Sequence, residues 1–261
     1  MELTGSIVMS TTMQERRRNR QKSIKWQAEL MEVIQESPDV RTFRFRKPEG
    51  WTFIPGQYVM VFFPDVFGKK NRAYSIASSP NNEYLELTIK LYGIFTHHMW
   101  TQKPGDEWTL RGPYGHYVLN TKSDRDVLLI SAGVGVTPNM SMMRWATEEK
   151  LERRFLHLYS NKKTRDMVFD EEIDEICSDN KHIKNIHTLT RYQENVDDVW
   201  DGRLGRISES MIREELSEWL DSGRELPEVY SCGPEVMNMM VKELLISMGW
   251  DEKDIHYEKF W

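Results

Sequence analysis

The sequence predicts two domains, an antiparallel β-barrel followed by an α/β unit on a parallel sheet. Three observations point there. From Ile24 to Leu119 the chain is a series of short alternating segments broken by turn residues. After Asn120 the pattern switches to continuous apolar strands alternating with helical stretches. The length, 261 residues, suits two cores better than one, and with 39% hydrophobic residues and 9 Trp there is apolar material for both.

Residues 1–23 read as an irregular, basic, flexible tail, with the cationic run Glu15-Arg16-Arg17-Arg18-Asn19-Arg20-Gln21-Lys22. Such a run is ordinarily a solvated face; its sharper reading is a contact arm for an acidic partner. Trp26–Val33 is expected as the first strand, and Val40–Arg46 alternates with period two. Tyr58–Phe63 is an apolar run after the turn Pro55-Gly56, and Tyr84–Leu91 alternates again. Glu107–Arg111 precedes Gly112-Pro113-Tyr114-Gly115, and a short helix fits near Thr96–Trp100.

In the second half, Asp126–Ser131 has the continuous apolar character of a strand buried on both faces. It leads into Ala132-Gly133-Val134-Gly135-Val136-Thr137-Pro138 and a helix over Met140–Lys150. A strand at Arg154–Tyr159, a helix near Asp170–Cys177 and a strand at Ile183–Leu189 follow. Then come a helix near Ser208–Leu220, a strand at Glu228–Ser231, a helix over Glu235–Met248 and a last strand, Ile255–Phe260. The domain boundary is placed near Thr121–Arg125. No internal repeat or low-complexity segment stands out.

Composition narrows the function classes. A net charge of -6 argues against nucleic acid as the main partner. Two cysteines, Cys177 and Cys232, make neither a disulfide framework nor a four-thiolate iron–sulfur site. With no run apolar enough for a membrane span and no basic-then-apolar leader, a soluble cytoplasmic protein is expected.

The chain is organised around Asn71-Arg72-Ala73-Tyr74-Ser75-Ile76-Ala77-Ser78-Ser79-Pro80. In an extended strand Arg72, Tyr74, Ile76 and Ser78 would share one face, with Ser75 and Ala77 on the other. One face then offers a guanidinium fork for a phosphate and an aromatic for a ring system. The plain alternative is a strand with a buried Tyr and a surface Arg. Gly133-Val134-Gly135 permits a tight turn with close approach to a pyrophosphate at a helix N-terminus, though the third glycine of the dinucleotide fingerprint is missing. Pro138 suits the helix start. Gly93-Ile94-Phe95-Thr96 would make a second anion cradle from its free amides and the Thr96 hydroxyl, or simply a capped helix. His97 and His98 lack companion ligands and read as structural or exposed, not as a metal site. Cys232-Gly233-Pro234 ends a parallel strand on the ligand-binding side; a buried small residue is the plain reading of its thiol, and the only one for Cys177.

Taken in order, Arg-x-Tyr-Ser, Gly-x-x-Thr, Gly-Pro-x-Gly, Gly-x-Gly-x-x-Pro and Cys-Gly-Pro resemble the ferredoxin–NADP reductase superfamily from Trp26 to the end. The resemblance implies a flavin-binding antiparallel β-barrel over 24–122 and a Rossmann-like nicotinamide-nucleotide domain over 123–261. It implies FAD on the barrel, with Arg72 on the pyrophosphate, Tyr74 against the isoalloxazine, Ser75 toward the flavin N5 and Ala73 among the cofactor-binding residues. Thr96 and the amides of Ile94 and Phe95 would hold the other side of the pyrophosphate. Gly133, Gly135, Thr137 and Pro138 would line the nucleotide cleft, with Cys232, Gly233 and Pro234 near the nicotinamide. Glu258, with Ser75, would tune protonation around N5. The ending Tyr257-Glu258-Lys259-Phe260-Trp261 is similar to the family's Glu-x-Phe terminus with one residue added, so either Phe260 or Trp261 would cover the flavin.

Thr190, Arg191, Arg203, Arg206, Ser160, Lys162 and Lys163, with no acid after Tyr159, favour NADP(H) over NAD(H). NADH-using relatives also carry a Thr-Arg, so both nucleotides stay open. The expected activity is oxidation of NAD(P)H with delivery of single electrons to an acidic ferredoxin or flavodoxin, docked on Lys69, Lys70, Lys103 and the basic tail. The alternatives are a reductase component of an oxygenase system using NADH through a separate ferredoxin, a free-flavin reductase, and a non-catalytic relay or regulatory subunit.

Overall fold

A computed structural model describes residues 22–193, 199–220 and 223–260. Six strands make the first sheet: β1 (Ile24–Ser37), β2 (Val40–Arg46), β3 (Tyr58–Phe62), β4 (Asn71–Ser75), β5 (Tyr84–Lys90) and β6 (Glu107–Tyr114). They pair antiparallel in the order β4-β3-β6-β1-β2-β5. The outer strands meet where Ile76 bridges Leu87 and the Ala77 amide donates to the Glu86 carbonyl at 2.9 Å, which closes the sheet on itself.

The interior is aromatic. Trp108 is fully buried, with Phe43, Phe45 and Phe63 centred 4.8–5.0 Å from it. Each such side chain contributes roughly 1.5–3 kcal/mol by leaving water. Two short helices, α1 (Pro64–Phe67) and α2 (Gly93–Trp100), lie beside the barrel. Phe67 stacks on Phe95 at 4.9 Å, and Phe95 and Met99 of α2 join the barrel core.

The first strand runs past both expected ends. The β1–β2 register shifts between Leu30 and Glu32 and again between Gln35 and Ser37. Each shift breaks the period-two pattern, so an alternation search stops short of the real strand.

The second half contains β7 (Val127–Ala132), α3 (Val136–Glu148), β8 (Phe155–Asn161), α4 (Asp170–Asp179), β9 (Ile183–Leu189) and β10 (Arg203–Leu204). It continues with α5 (Glu209–Glu215), α6 (Ser217–Leu220), β11 (Glu228–Pro234), α7 (Glu235–Ser247) and β12 (Ile255–Phe260). The strands are parallel in the order β10-β9-β8-β7-β11-β12. The chain builds outward from β7 to β10 and then returns to β7's other side with β11. The switch point therefore lies between β7 and β11, where open α/β sheets bind ligands at the carboxyl ends of their strands. Met140 and Met143 of α3 with Ile173 and Ile176 of α4 cover one face of the sheet. Met211 and Ile212 of α5 with Val241 and Leu245 of α7 cover the other.

The single helix expected near Ser208–Leu220 is two, α5 and α6. Ser208 caps α5 by accepting the Met211 amide at 3.3 Å, and the Ser217 hydroxyl turns back to the Glu214 carbonyl at 3.0 Å where the break falls. The two-residue β10 is too short to leave a periodic signal.

Candidate active site

The switch point brings two glycine turns together. β11 pairs with β7 so that Cys232 sits opposite Ser131. The loop after β7 begins with Gly133 at φ +52°, a conformation that suits glycine, with open space where a side chain would stand. Gly135 packs so closely that a β-carbon there would lie 2.3 Å from the Cys232 carbonyl oxygen. Thr137 is buried and donates to the Val134 carbonyl at 2.7 Å, which tightens the loop; Pro138, also buried, stands in the first turn of α3. A 3-10 turn over Gly133–Gly135 runs directly into α3, with the Val136 amide donating back to the Gly133 carbonyl, so the anion-attracting end of the helix is that glycine turn.

The same geometry links the two sheets. β12 pairs with β11, placing Glu258 opposite Cys232, and the Ser75 hydroxyl at the end of β4 donates to Glu258 Oε2 at 3.3 Å. Burial raises the Glu258 carboxyl to about 7, with the Ser75 hydrogen bond pulling the other way. Asn238 of α7, which sequence reasoning missed, holds this strand end: it donates to the Glu258 carbonyl at 2.8 Å and the Gly233 carbonyl at 3.2 Å, and accepts from the Ser231 hydroxyl at 2.8 Å. A lone Asn in a helix carries no motif, so no signal marked it.

Cys232 is 0% exposed, and burial first, then Glu258, pushes its thiol well above the ordinary range. The thiol is a packed neutral group in this structure. Beneath it, the Tyr117 hydroxyl donates to Asn139 Oδ1 at 2.7 Å, Asn139 Nδ2 donates to the Ser131 hydroxyl at 2.9 Å, and His157 Nε2 lies 2.8 Å from the same hydroxyl. Burial lowers His157 to about 3, so its imidazole is neutral at physiological pH.

A cavity of about 1010 Å³ opens between the halves. Tyr58, Met60, Arg72, Ala73 and Ser75 wall the barrel side, and Asn238, Met239, Lys242, Tyr257 and Glu258 wall the other. This is the upper end of the roughly 300–1,000 Å³ typical of small-molecule sites. Arg72 is exposed at its edge; its guanidinium lies over the Phe95 ring at 5.5 Å and donates to the Asn71 carbonyl at 2.8 Å, with no described carboxylate paired to it. Arg72 and the α2 turn are thus brought together. An exposed guanidinium with no described carboxylate paired to it, beside a roomy cleft, fits the phosphates of a flavin nucleotide.

Two expectations need correction. The expected alternation of faces along the stretch from Arg72 is not seen in its burial: Arg72 and Ala73 are both exposed, and with Ser75 both line the cavity. Ser75, Ile76, Ala77, Ser78 and Ser79 are all buried in succession, because the segment runs between the barrel core and α3. Ser75 faces Glu258 and the cavity, whereas Tyr74 packs on the barrel core and Ile76 lies within it. The Thr96 hydroxyl is already occupied: it accepts the Tyr92 amide at 2.6 Å and donates to the Gly93 carbonyl at 3.1 Å. It shapes the turn, leaving the exposed Ile94 and the helix-start amides for any anion. His97 likewise bonds the Gly93 carbonyl and His98 packs edge-on to Phe63. No metal-binding cluster occurs among the described residues.

On the other side of β7 from the cavity, the Thr190 and Arg191 amides donate to the Asn161 and Lys162 carbonyls at 2.9 Å, joining the turns after β9 and β8; none of these residues lines the cavity. Arg191 and Arg206 are exposed. Arg203 is not available in the same way, since it pairs with Glu214 and Glu215. Trp261, the Phe260 side chain and the basic run over 15–21 lie outside the described residues. Lys69, Lys70 and Lys103 are exposed on the barrel, and no described helix is long and apolar enough to cross a membrane.

Comparison with known proteins agrees with this arrangement. Residues 27–119 match the oxidoreductase FAD-binding domain and residues 129–243 the oxidoreductase NAD-binding domain. The chain is 32% identical over 239 residues to the glycine betaine monooxygenase reductase subunit of Chromohalobacter salexigens, covering 88% of this chain and 62% of that one. It is 28% identical over 242 residues to ferredoxin–NADP reductase B of Sorangium cellulosum, covering 90% and 97%. Among solved structures, the ferredoxin reductase in carbazole 1,9a-dioxygenase superposes with a TM-score of 0.78 at 25% identity, over 93% of this chain and 71% of that one. The chain spans about three-fifths of the length of several curated relatives, among them two flavohemoproteins of Dictyostelium discoideum at 57% and 58%.

Proposed function

The chain belongs to the ferredoxin–NADP reductase superfamily, and from that premise we propose that it is an FAD-dependent oxidoreductase that exchanges a hydride with NADP(H) and single electrons with a ferredoxin or flavodoxin. Residues 24–122 act as the flavin unit and 123–261 as the nicotinamide-nucleotide unit. The observation that carries the reading is the Ser75–Glu258 hydrogen bond. It joins the two sheets beside the Gly135–Cys232 contact.

Bound FAD supplies the chemistry: it accepts two electrons as hydride and releases them singly. The chain's own residues do the rest. Arg72, with the amides of Ile94 and Phe95, holds the pyrophosphate of the flavin nucleotide. The Gly133–Gly135 turn and the start of α3 hold that of the nicotinamide nucleotide, with Thr137, Pro138 and Cys232-Gly233-Pro234 shaping the floor. Ser75 keeps a hydroxyl at the reacting edge. Glu258, raised to about 7, holds or gives up a proton at its Oε2 near neutral pH. Arg191, Arg206 and Thr190 favour a 2′-phosphate, hence NADPH.

The absorbance spectrum of the purified chain, before and after anaerobic addition of NADPH, tests this. A yellow protein that bleaches supports it; a protein that stays colourless after reconstitution with FAD overturns it. A second reading is a reductase component of an oxygenase system using NADH, favoured by the identity to the betaine monooxygenase reductase subunit. The ratio of kcat/KM for NADPH and NADH, followed by turnover with a ferredoxin as acceptor, separates the two.

A further inference from the structure

We propose that Arg144 is a positioning residue for hydride exchange, locking the helix that starts at the nucleotide loop onto the segment that follows Ser75. The proposal rests on the functional reading above. α3 begins immediately after Gly133–Gly135, so its placement decides where the nicotinamide nucleotide is presented. Ser75 ends β4, and Ala77, Ser78 and Ser79 are the buried residues that continue from it.

One face of α3 is stitched to those residues. The Ser141 hydroxyl donates to the Ser78 carbonyl at 2.7 Å. Arg144 Nη1 donates to the Ala77 carbonyl at 2.8 Å and to Glu86 Oε2 at 2.6 Å. Ser79 and Glu148 bond one turn further on. Positions 141, 144 and 148 have the spacing that puts side chains on one helix face.

Arg144 is the hub of the set. Its Nε and Nη2 form a two-pronged contact to Glu172 of α4 at 2.6 and 2.7 Å, and its guanidinium plane covers the Phe169 ring at 5.0 Å. Glu86 is shared: its other oxygen takes Arg44 Nε and Nη2 at 2.9 and 2.8 Å. The result is a chain Arg44–Glu86–Arg144–Glu172 running from the barrel into the α/β half. The Arg144 side chain is 13% exposed and that of Glu86 2%.

A buried ion pair is a poor way to add stability, because apolar residues of the same volume serve about as well. What it supplies is direction. The guanidinium is a rigid, permanently charged fork, and here its donors fix α3 in both translation and rotation against the barrel. Between Gly135 and Arg144 lies about 13 Å of helix, which transmits that register to the nucleotide loop. A displacement on the order of 1 Å at the reacting atoms slows a reaction about a hundredfold. Loss of the fork is therefore expected to act on the hydride step more than on nucleotide affinity.

The test is stopped-flow reduction of the FAD-loaded protein, extrapolated to saturating NADPH. Arg144→Met is expected to keep its flavin and to hold the nucleotide dissociation constant within about twofold, while the limiting rate per bound flavin falls at least about tenfold. Arg144→Lys, which keeps the charge and one donor to Ala77 or Glu86, recovers part of the rate. Glu172→Gln leaves the barrel contacts and is expected to lower the melting temperature with the rate unchanged. Should Arg144→Met fail to fold, Glu86→Gln carries the same expectation from the barrel side. An unchanged limiting rate in the Met variant, or in Glu86→Gln, overturns the inference, as does a Glu172→Gln variant slowed equally. If the parent protein itself is not reduced by NADPH or NADH, the functional reading falls instead.

Discussion

Ser75 and Glu258 are 183 positions apart in the chain and 3.3 Å apart in space, one at the end of a barrel strand and the other on the edge strand of the parallel sheet. Because the bond crosses between the two sheets, it senses both how each half is folded and how they meet. The cavity opens directly over it.

Ser75→Ala removes the hydroxyl without disturbing the barrel core, since the residue it bonds lies on the other sheet. Flavin reduction by NADPH is expected to slow by roughly ten- to a hundredfold, in keeping with the loss of a positioned proton-handling group, with flavin still bound. Rapid-mixing absorbance measurements check the rate, and the ratio of flavin to protein absorbance checks retention.

Glu258 gives a pH dependence of known sign. Its folded carboxyl titrates near 7, above its ordinary 4.5, so the folded protein holds a proton there that the unfolded chain has released. Stability therefore falls as pH rises from about 4.5 to 7, and the full penalty is present above 7. Glu258→Gln abolishes this component, worth about 3 kcal/mol at most. Melting temperatures of the flavin-free proteins between pH 5 and 8 should converge at the acid end and separate in favour of the Gln variant at the alkaline end.

Gly135→Ala sets a methyl group 2.3 Å from the Cys232 carbonyl, and neither backbone strand end can yield cheaply. A loss of roughly 1–3 kcal/mol is expected from overpacking, along with a raised KM for the nicotinamide nucleotide as the two turns separate. Gly133→Ala meets no neighbour and costs only its unfavourable positive φ, about 1 kcal/mol. Urea unfolding of the two variants should rank them in that order.

Arg72→Ala leaves the fold alone, because the side chain is exposed and its local hydrogen bond is to the neighbouring Asn71 carbonyl. FAD affinity is expected to drop about ten- to a hundredfold, the worth of one or two charge-assisted bonds to phosphate. Fluorescence titration of the flavin-free protein measures it, and an unchanged affinity would remove Arg72 from the pyrophosphate site.

Much of the architecture is legible locally. Val127–Ala132 is buried along nearly its whole length, as a strand covered by helices on both sides must be, and its unbroken apolar run announces that. The glycine turn and Pro138 mark the start of α3 because backbone sterics act within a few residues. The two bulges in β1 were not legible, since a bulge is settled by the partner strand. Nor was the burial of Ile76 through Ser79, which follows from α3 lying across them.

The sequence by itself determined the class of fold, the order of the glycine turns and the residue types available at each strand end. Those depend on periodicity and on backbone freedom, which are properties of short windows. Only the tertiary structure decided that Glu258 reaches Ser75, that the Thr96 hydroxyl is spent on its own turn, that Asn238 ties β11 to β12, and that Arg144 reaches from α3 to the barrel. Apart from the Thr96 turn, which closes within four residues, these are contacts between segments far apart in the chain, and their distances exist only once both sheets have closed around their cores.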